Sequence, residues 1–561
     1  MTTTRRIREN EGQYYAGRWV ARVRGKVVAQ GETREAAYDT ARASRPKEKI
    51  ELVLMSPIFD HPLMKAVRDA LPSGQPLYLV GGALRDALLG HVTHDLDFAV
   101  PSGAMKLARN VANRLTGAFF PLDEETDTAR VILPRPDGGR EMLDFAGFRG
   151  ADLEADLRGR DFTINAMALD VHTGESIDPL GGAQDLREKR IRACTETTFR
   201  DDPIRILRAV RQAAAFGFSI HPETRKMMKA AAPLLAQVSP ERRRDELFKI
   251  IEGPQPDASM RALRLLSVFT ALLPELTALK GVTQSAPHVY DVWTHTLAVL
   301  RHLHTILDVF SPHYDETAET NPMNRLLSEH LGRYRPQVNE HLTTALNPDR
   351  SARALLFFAA LYHDISKPQT KSVEPGGRIR FLGHDEQGAQ AAVKRGMALH
   401  LSNDEIDRLK LVVLHHMRIH GLASRKAAHG QDPSRKAMHR FFRDTGRAGV
   451  DLVLLALADV RAMSEQALTE AHWVTYLEVC RDLLEAWYEK TEEIVAPPAL
   501  LNGSHLIAEF NLLPGRAIGE LLELIREEQA AGNISTREEA LAFVQERLAN
   551  GQPRKQQSQK L

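Results

Sequence analysis

Asp95 and Asp97 stand one residue apart in the run Asp95-Leu-Asp-Phe-Ala-Val100, where the two-residue period of a strand turns both carboxylates to one face. Like charges held so close call for a cation. Paired carboxylates holding Mg²⁺ suit phosphoryl or nucleotidyl transfer, in which one ion activates the attacking hydroxyl and another binds the triphosphate and its leaving pyrophosphate. Just upstream, Val80-Gly-Gly-Ala-Leu-Arg-Asp86 sets two residues without side chains between a strand and a helix, so backbone N–H groups can approach a polyphosphate. Asp144, in Glu141-Met-Leu-Asp-Phe145, lies on another strand-like run and is a candidate third carboxylate, with a structural polar role as the alternative. Far downstream, His295, the adjacent pair His363-Asp364, and Asp459 are metal-ligand types on helical patterns. Consecutive imidazole and carboxylate groups on a helix can meet one ion only when other helices supply the remaining ligands.

The elements that must position these groups follow from the hydropathy pattern. The chain has 561 residues, enough for about three to five domains, and its 43% hydrophobic and 26% charged content is that of a globular protein. No run reaches the roughly 18 apolar residues of a membrane helix, and the start MTTTRRIREN has no apolar core behind its basic residues. Cys194 and Cys480 stand far apart without a neighbouring ligand pair, which excludes a disulfide scaffold and a cysteine zinc site and fits a reducing cytoplasm.

Fold class is expected to be α+β, an α/β head followed by a long all-α body. Residues 1–54 read as a small β-β-α-β module and 55–185 as the head; 186–284 read as a helical neck, 285–465 as a domain carrying the histidines, 466–550 as a C-terminal helical region and 551–561 as a disordered tail. Residues 311–350, with Pro312, Pro322, Pro336 and Pro348, read as a surface insertion. The net charge is only +1, yet 1–50, 181–250 and 418–447 are each locally basic, which suggests a polyanionic substrate.

Five ordered stretches, 79–90, His94-Asp-Leu-Asp-Phe98, 159–168, 177–186 and 199–211, resemble the successive motifs of class II tRNA nucleotidyltransferases and the related bacterial poly(A) polymerases. The resemblance extends through the helical body and leaves out only residues 1–50. It implies that Gly81, Gly82, Arg85 and Asp86 bind the triphosphate and that Asp95 and Asp97 hold the metals. Arg160 and Asp161 match the motif that recognises the ribose 2′-hydroxyl. The family's base-reading Glu-Asp-x-x-Arg reads Asp201-Asp202-Pro-Ile-Arg205 here, with the first acid shortened. Asp202 and Arg205, three apart on a helix opened by Pro203, would offer an acceptor and a fork of donors to cytosine or adenine. Arg208 and Arg211 continue that face as further triphosphate contacts.

His295, His363-Asp364 and Asp459 resemble the ligand set of HD phosphohydrolases, and His384 and His415, the latter beside His416, resemble the extra positions that some of these use for a second metal. The resemblance implies tRNA 3′-CCA addition or repair from CTP and ATP with Mg²⁺ in the head. It also implies a phosphohydrolase using a transition metal such as Ni²⁺ or Mn²⁺. Alternatives are a poly(A) polymerase, an enzyme adding only CC or only A, and an HD phosphohydrolase whose head only binds RNA. Oligomeric state is left open.

Overall fold

The computed structural model describes residues 18–549, apart from 55–56, 73, 92, 349 and 464–467; the expected tail at 551–561 lies outside the described residues. The chain divides into two units, one ending at Leu235 and the other starting at Ala236.

The first unit opens with β1 (Trp19–Val23), β2 (Lys26–Gly31), α1 (Arg34–Ser44) and β3 (Glu51–Leu54), three antiparallel strands in the order β2-β1-β3. Thr33 caps α1 by accepting from the N–H of Ala36, and Ala37 and Ala41 are its buried contacts.

The head is built on a seven-stranded sheet. Its elements are β4 (Tyr78–Val80), α2 (Gly82–Leu88), β5 (Asp95–Val100), α3 (Ala104–Leu115), β6 (Ala118–Asp123), β7 (Thr128–Pro134), β8 (Arg140–Gly147), α4 (Leu153–Arg158), β9 (Ala168–Asp170) and β10 (Ser176–Ile177). The strand order is β10-β9-β4-β5-β8-β7-β6, and β5 and β8 form its parallel pair. Leu96 and Phe98 of β5 are buried while Asp95 and Asp97 face outward, so alternation within this one strand places both acids on the same open face. Helix α3 packs Leu107, Ala108, Val111 and Ala112 beneath the sheet. Beyond the sheet, α5 (Arg205–Phe216) carries buried Ile206, Leu207, Ala209 and Val210 on one side, which leaves its arginines on the other.

The second unit is helical. It contains α6 (Val292–Val309), α7 (Pro322–Leu331), α8 (Arg335–Thr343), α9 (Ala352–Tyr362), α10 (His384–Ala398), α11 (Asn403–His415), α12 (Arg418–His429), α13 (Ala448–Met463) and α14 (Glu470–Tyr488). Helices α6 and α13 are apolar nearly all round and form the centre of the bundle. The segment expected as a surface insertion is instead part of this fold. Pro322 and Pro336 sit in the first turns of α7 and α8, where proline interrupts nothing, and Leu327, Leu331, Tyr334 and Val338 are buried. The unit ends in α15 (Gly503–Phe510), α16 (Arg516–Ala531) and α17 (Arg537–Ala549), packed around Leu506, Ile518, Ile525 and Val544. The capping box of α17 forms as its sequence suggests: Thr536 Oγ1 accepts from Glu539 N–H at 3.2 Å, and Glu539 Oε2 accepts from Thr536 N–H at 3.1 Å.

Candidate active site and metal centre

The carboxylates of the head converge through sheet pairing. In the parallel register of β5 and β8, Asp97 lies opposite Asp144, so Asp95, Asp97 and Asp144 form one acidic patch across two strands. Burial, then the Asp144 charge, raises the carboxyl of Asp97 above its ordinary range, against the pull of Arg160 and Arg130. Arg130, across the antiparallel pair from Asp144, holds that carboxylate with two parallel bonds of 2.8 Å.

The glycine turn is pressed against this patch. Gly81 has φ +75°, and a Cβ there would lie 3.0 Å from Asp97 Oδ2 and 3.4 Å from Arg160 Nη1. A side chain at position 81 would therefore be strained by its backbone and would intrude between an acid and a base of the site. Gly82 opens α2. Arg85 pairs with its neighbour Asp86 and donates to Asn165 Oδ1 at 2.6 Å, with its guanidinium over the Phe216 ring. Arg160 is held by the buried Asp156 at 3.0 Å.

Asp161 is buried and well partnered. It accepts from Arg208 at 2.8 and 3.0 Å, from Asn165 at 2.9 Å and from the Phe162 N–H at 2.8 Å. Burial alone would raise its carboxyl, but Arg208 and these donors hold it below the ordinary range. Arg208 is thus turned to Asp161 in this structure. Arg211 continues the face of α5.

The base-reading pair differs from expectation. Asp202 is not on a helix with Arg205; it sits in extended backbone (φ −149°, ψ 98°) between a short helical turn, Thr198–Asp201, and α5. Proline at 203 disfavours helical backbone at the residue before it, which breaks the helix at Asp202. The Arg205 guanidinium donates to the carbonyls of Gly159 at 2.9 Å and Arg160 at 3.3 Å, tying α5 to the 159–161 turn.

In the second unit, His295 (α6), His363-Asp364 (directly after α9), His384 (first residue of α10), His416 (directly after α11) and Asp459 (α13) are all buried around one centre. His295 with His363 and Asp459, and Asp364 with His384 and His416, form two groups, the ligand atoms of each lying within 4.8 Å of one another.

Backbone carbonyls set the tautomers. His363 Nδ1 lies 2.7 Å from Ala360 O, His384 Nδ1 2.7 Å from Phe381 O, His416 Nδ1 2.7 Å from Val413 O, and His295 Nδ1 3.3 Å from Ala462 O. A carbonyl oxygen only accepts, so each Nδ1 donates and each ring turns its Nε2 inward. His384 Nε2 and His416 Nε2 then face each other at 3.2 Å, and His295 Nε2 faces Asp459 Oδ1 at 2.8 Å. Among the described residues, the buried His295 Nε2, His363 Nε2, Asp364 Oδ2 and Asp459 Oδ1 meet only one another and Lys367, whose Nζ stands 2.7 Å from Asp364 Oδ2. Imidazole and carboxylate groups converging on one buried centre fit divalent cations.

His415 is a correction. It is the half-buried last residue of α11 and belongs to neither group, whereas His416 belongs to the second. Leu409, Val412 and Val413 are the buried stripe of α11, and helical spacing carries that stripe to 416, a signal already present in the sequence. Four further residues escaped the sequence reading. Lys367 reaches Asp364 at 2.7 Å, and His420 lies 2.8 Å from Asp459 Oδ2. His288 packs edge-on to His295 at 4.9 Å, its basicity pushed down to about 4, chiefly by burial. In the head, Arg130 bears on Asp144.

A sheet-based nucleotidyltransferase head followed by a helical body with an HD centre is the class that this fold and these two sites define. The comparisons agree: residues 77–192 match the poly A polymerase head domain, 217–280 a probable RNA- and SrmB-binding site of polymerase A, and 292–463 the HD domain. Residues 13–54 match a family of unknown function. An A-adding tRNA nucleotidyltransferase of Deinococcus radiodurans is 34% identical over 85% of this chain and 97% of its own length. A CC-adding tRNA nucleotidyltransferase of Geobacter sulfurreducens is 31% identical over 86% and 97%. The chain belongs to the tRNA nucleotidyltransferase family. Its fold resembles that of a CCA-adding enzyme solved with ATP, at a TM-score of 0.54 and 23% identity over 87% of this chain and 94% of that one. Among the described residues, no helix is long and apolar enough to cross a membrane.

Proposed function

We propose that the chain adds nucleotides to the 3′-terminal CCA sequence of tRNA, using CTP or ATP and Mg²⁺, without a nucleic-acid template. The observation that carries this reading is the acidic patch of Asp95, Asp97 and Asp144 set against the Gly81 turn. Bound Mg²⁺ would activate the terminal hydroxyl and neutralise the triphosphate. Asp95 and Asp97 would hold the ions, with Asp144 as the third carboxylate; Gly81 and Gly82 would let the triphosphate approach, assisted by Arg85, Asp86, Arg208 and Arg211. Arg160 would meet phosphate and Asp161 the ribose 2′-hydroxyl, the latter only as Arg208 releases one of its oxygens. Arg205, with Asp202 beside it, would read cytosine or adenine.

A narrower product has specific support. Among the relatives that match over most of both chains are an A-adding enzyme and several CC-adding enzymes, which favours a specialist over a complete CCA synthesiser. Incorporation of each nucleotide alone and in pairs into tRNA lacking CCA and tRNA ending in CC tests both readings. Extension of neither substrate would overturn the function; full CCA synthesis would overturn the specialist.

The HD centre is assigned a separate phosphohydrolase reaction on phosphomonoesters or cyclic phosphates, supported by its converging imidazole and carboxylate groups. A transition metal such as Ni²⁺ or Mn²⁺ would polarise the phosphate there. His295, His363, Asp364, His384, His416 and Asp459 would be its ligands, and Lys367 would stand by Asp364. Cytoplasmic tRNA is the expected substrate pool for both centres.

A further inference from the structure

The three basic segments of the sequence have different fates in the structure. In 418–447, Arg418, Lys426, Arg435, Lys436, Arg440 and Arg443 are each consumed by an ion pair, mostly with acids at 493 and 523–528. In 181–250 the cations are divided: Arg190 pairs with Glu188, Arg192 with Asp185 and Arg208 with Asp161, whereas the exposed Lys189, Arg200, Arg225 and Lys229, on separate elements, have no ion pair among the described residues. The N-terminal module gathers unpaired cations on one fixed loop.

There, β1 and β2 join through the turn at Arg24-Gly25, and β3 runs antiparallel to β1 with Glu51 opposite Arg22. This register brings the 45–50 loop to the same end of the sheet as the 24–26 turn, as the 3.2 Å ion pair between Arg24 and Glu48 shows. Arg42 fixes the loop from inside by donating to the carbonyls of Pro46 at 2.9 Å and Glu48 at 3.3 Å, while its guanidinium lies over the Tyr38 ring. The tip therefore presents Lys26, Arg45, Lys47 and Lys49, all exposed, on a loop whose backbone is held. None of these four has an ion pair among the described residues. The exposed acids Glu32 and Glu35 lie at the opposite end of the module, where β2 passes into α1.

We infer that this tip is an RNA-backbone contact, an interaction surface that binds phosphates of the tRNA substrate. Four cations on a fixed loop make a local positive field that an extended polyanion can meet at several points. Trp19 is buried, and the exposed ring of Tyr38 already carries the Arg42 guanidinium on its face, so among the described residues the tip offers charge and not base stacking. The contact is thus one of charge and shape, indifferent to sequence. This inference rests on the tRNA reading above, and the experiment separates the two.

The test is a full-length variant with Lys26→Gln, Arg45→Gln, Lys47→Gln and Lys49→Gln, all surface changes, beside a control with Glu32→Gln and Glu35→Gln. Binding to tRNA lacking CCA, and to a blunt RNA duplex that cannot be extended, is measured by fluorescence anisotropy between low and moderate salt. The expected result is at least tenfold weaker binding of both RNAs, with the slope of log K against log salt reduced by about three, from roughly 0.7 to 0.9 counterions per lost contact. The kcat at saturating tRNA is expected to stay unchanged while KM rises. Unchanged affinity and slope would overturn the inference, as would a comparable gain in the control, which would make net charge the cause. Loss of binding to phosphatidylserine vesicles without loss on RNA would also overturn it. If the wild-type protein bound RNA but failed to extend tRNA, the enzymatic reading would fall while the slope still decided the tip.

Discussion

The acidic patch of the head and the histidine centre of the body both gather groups that repel one another, and they manage that repulsion in opposite ways. In the head the carboxylates lie on the open face of a sheet and arginines temper them: Arg130 on Asp144 and Arg160 near Asp97. In the body, among the described residues, no arginine intervenes, and Lys367 reaches Asp364 from the edge at 2.7 Å. Buried rings are locked by backbone carbonyls, and Nε2 atoms confront one another at 3.2 Å or a carboxylate at 2.8 Å. An open, arginine-tempered site suits a polyanionic substrate that arrives and leaves with its own ions, because its protein charges are already partly balanced. A sealed set of imidazole and carboxylate groups suits resident ions that are part of the fold. The sites should therefore respond differently to the loss of one residue.

The largest effect is expected in the head. Asp97→Asn should lower kcat for nucleotide addition at least a thousandfold and leave tRNA affinity within about threefold, since the carboxylate serves the reaction and not the RNA. Asp95→Asn should match it. Single-turnover incorporation measured beside filter binding checks this, and activity within tenfold of wild type would refute the assignment.

In the body the expected loss is of metal as well as activity. His363→Ala with Asp364→Ala should abolish hydrolysis of 2′,3′-cyclic phosphates and lower bound metal in the purified protein, with nucleotide addition to an intact 3′-hydroxyl unchanged. His416→Ala should do the same and His415→Ala should not. Metal content by plasma mass spectrometry and both activities on one preparation form the test. Parallel loss of both activities in a folded variant would break the separation of the centres.

What the sequence disclosed follows the range of the interactions involved. Asp95 and Asp97 were legible because a strand's period is local. Asp144 was legible only as a candidate, because its place opposite Asp97 depends on a parallel pairing across 47 residues (97 to 144). The fate of the basic segments was not legible at all: Arg440 meets Glu527, 87 positions away, and no local pattern reports it. Prolines misled at 311–350, where they open helices instead of breaking them, and the break at Asp202 was missed although Pro203 announces it.

A smaller effect is expected from Arg205, whose guanidinium now bonds to the carbonyls of Gly159 and Arg160. If it leaves them to read the base, Arg205→Ala should lower the selectivity of kcat/KM for CTP over UTP, or for ATP over GTP, by about five- to 150-fold, the equivalent of roughly 1 to 3 kcal/mol for an unpaired buried acceptor. Unchanged ratios in a slower enzyme would make Arg205 a tie between α5 and the 159–161 turn.

The smallest effect concerns stability and sharpens the contrast between tempered and sealed charges. Asp161 is kept below its ordinary range chiefly against burial, by Arg208 and the donors of Asn165 and Phe162. A carboxyl depressed in the folded state contributes stability that is fully present above its unfolded value and is lost as pH falls through the folded value. Arg208 is partly exposed, so its share is modest: Arg208→Gln should cost about 1 kcal/mol at pH 7, within the range for a screened, charge-assisted pair. The deficit should shrink as pH falls below the ordinary carboxylate range, because protonated Asp161 no longer distinguishes arginine from glutamine. Asp161→Asn should remove the same acid limb from the profile. Thermal unfolding of the three proteins between pH 7 and acid measures it. A deficit that stayed constant with pH would mean that Arg208 supports the fold by packing and not by its charge.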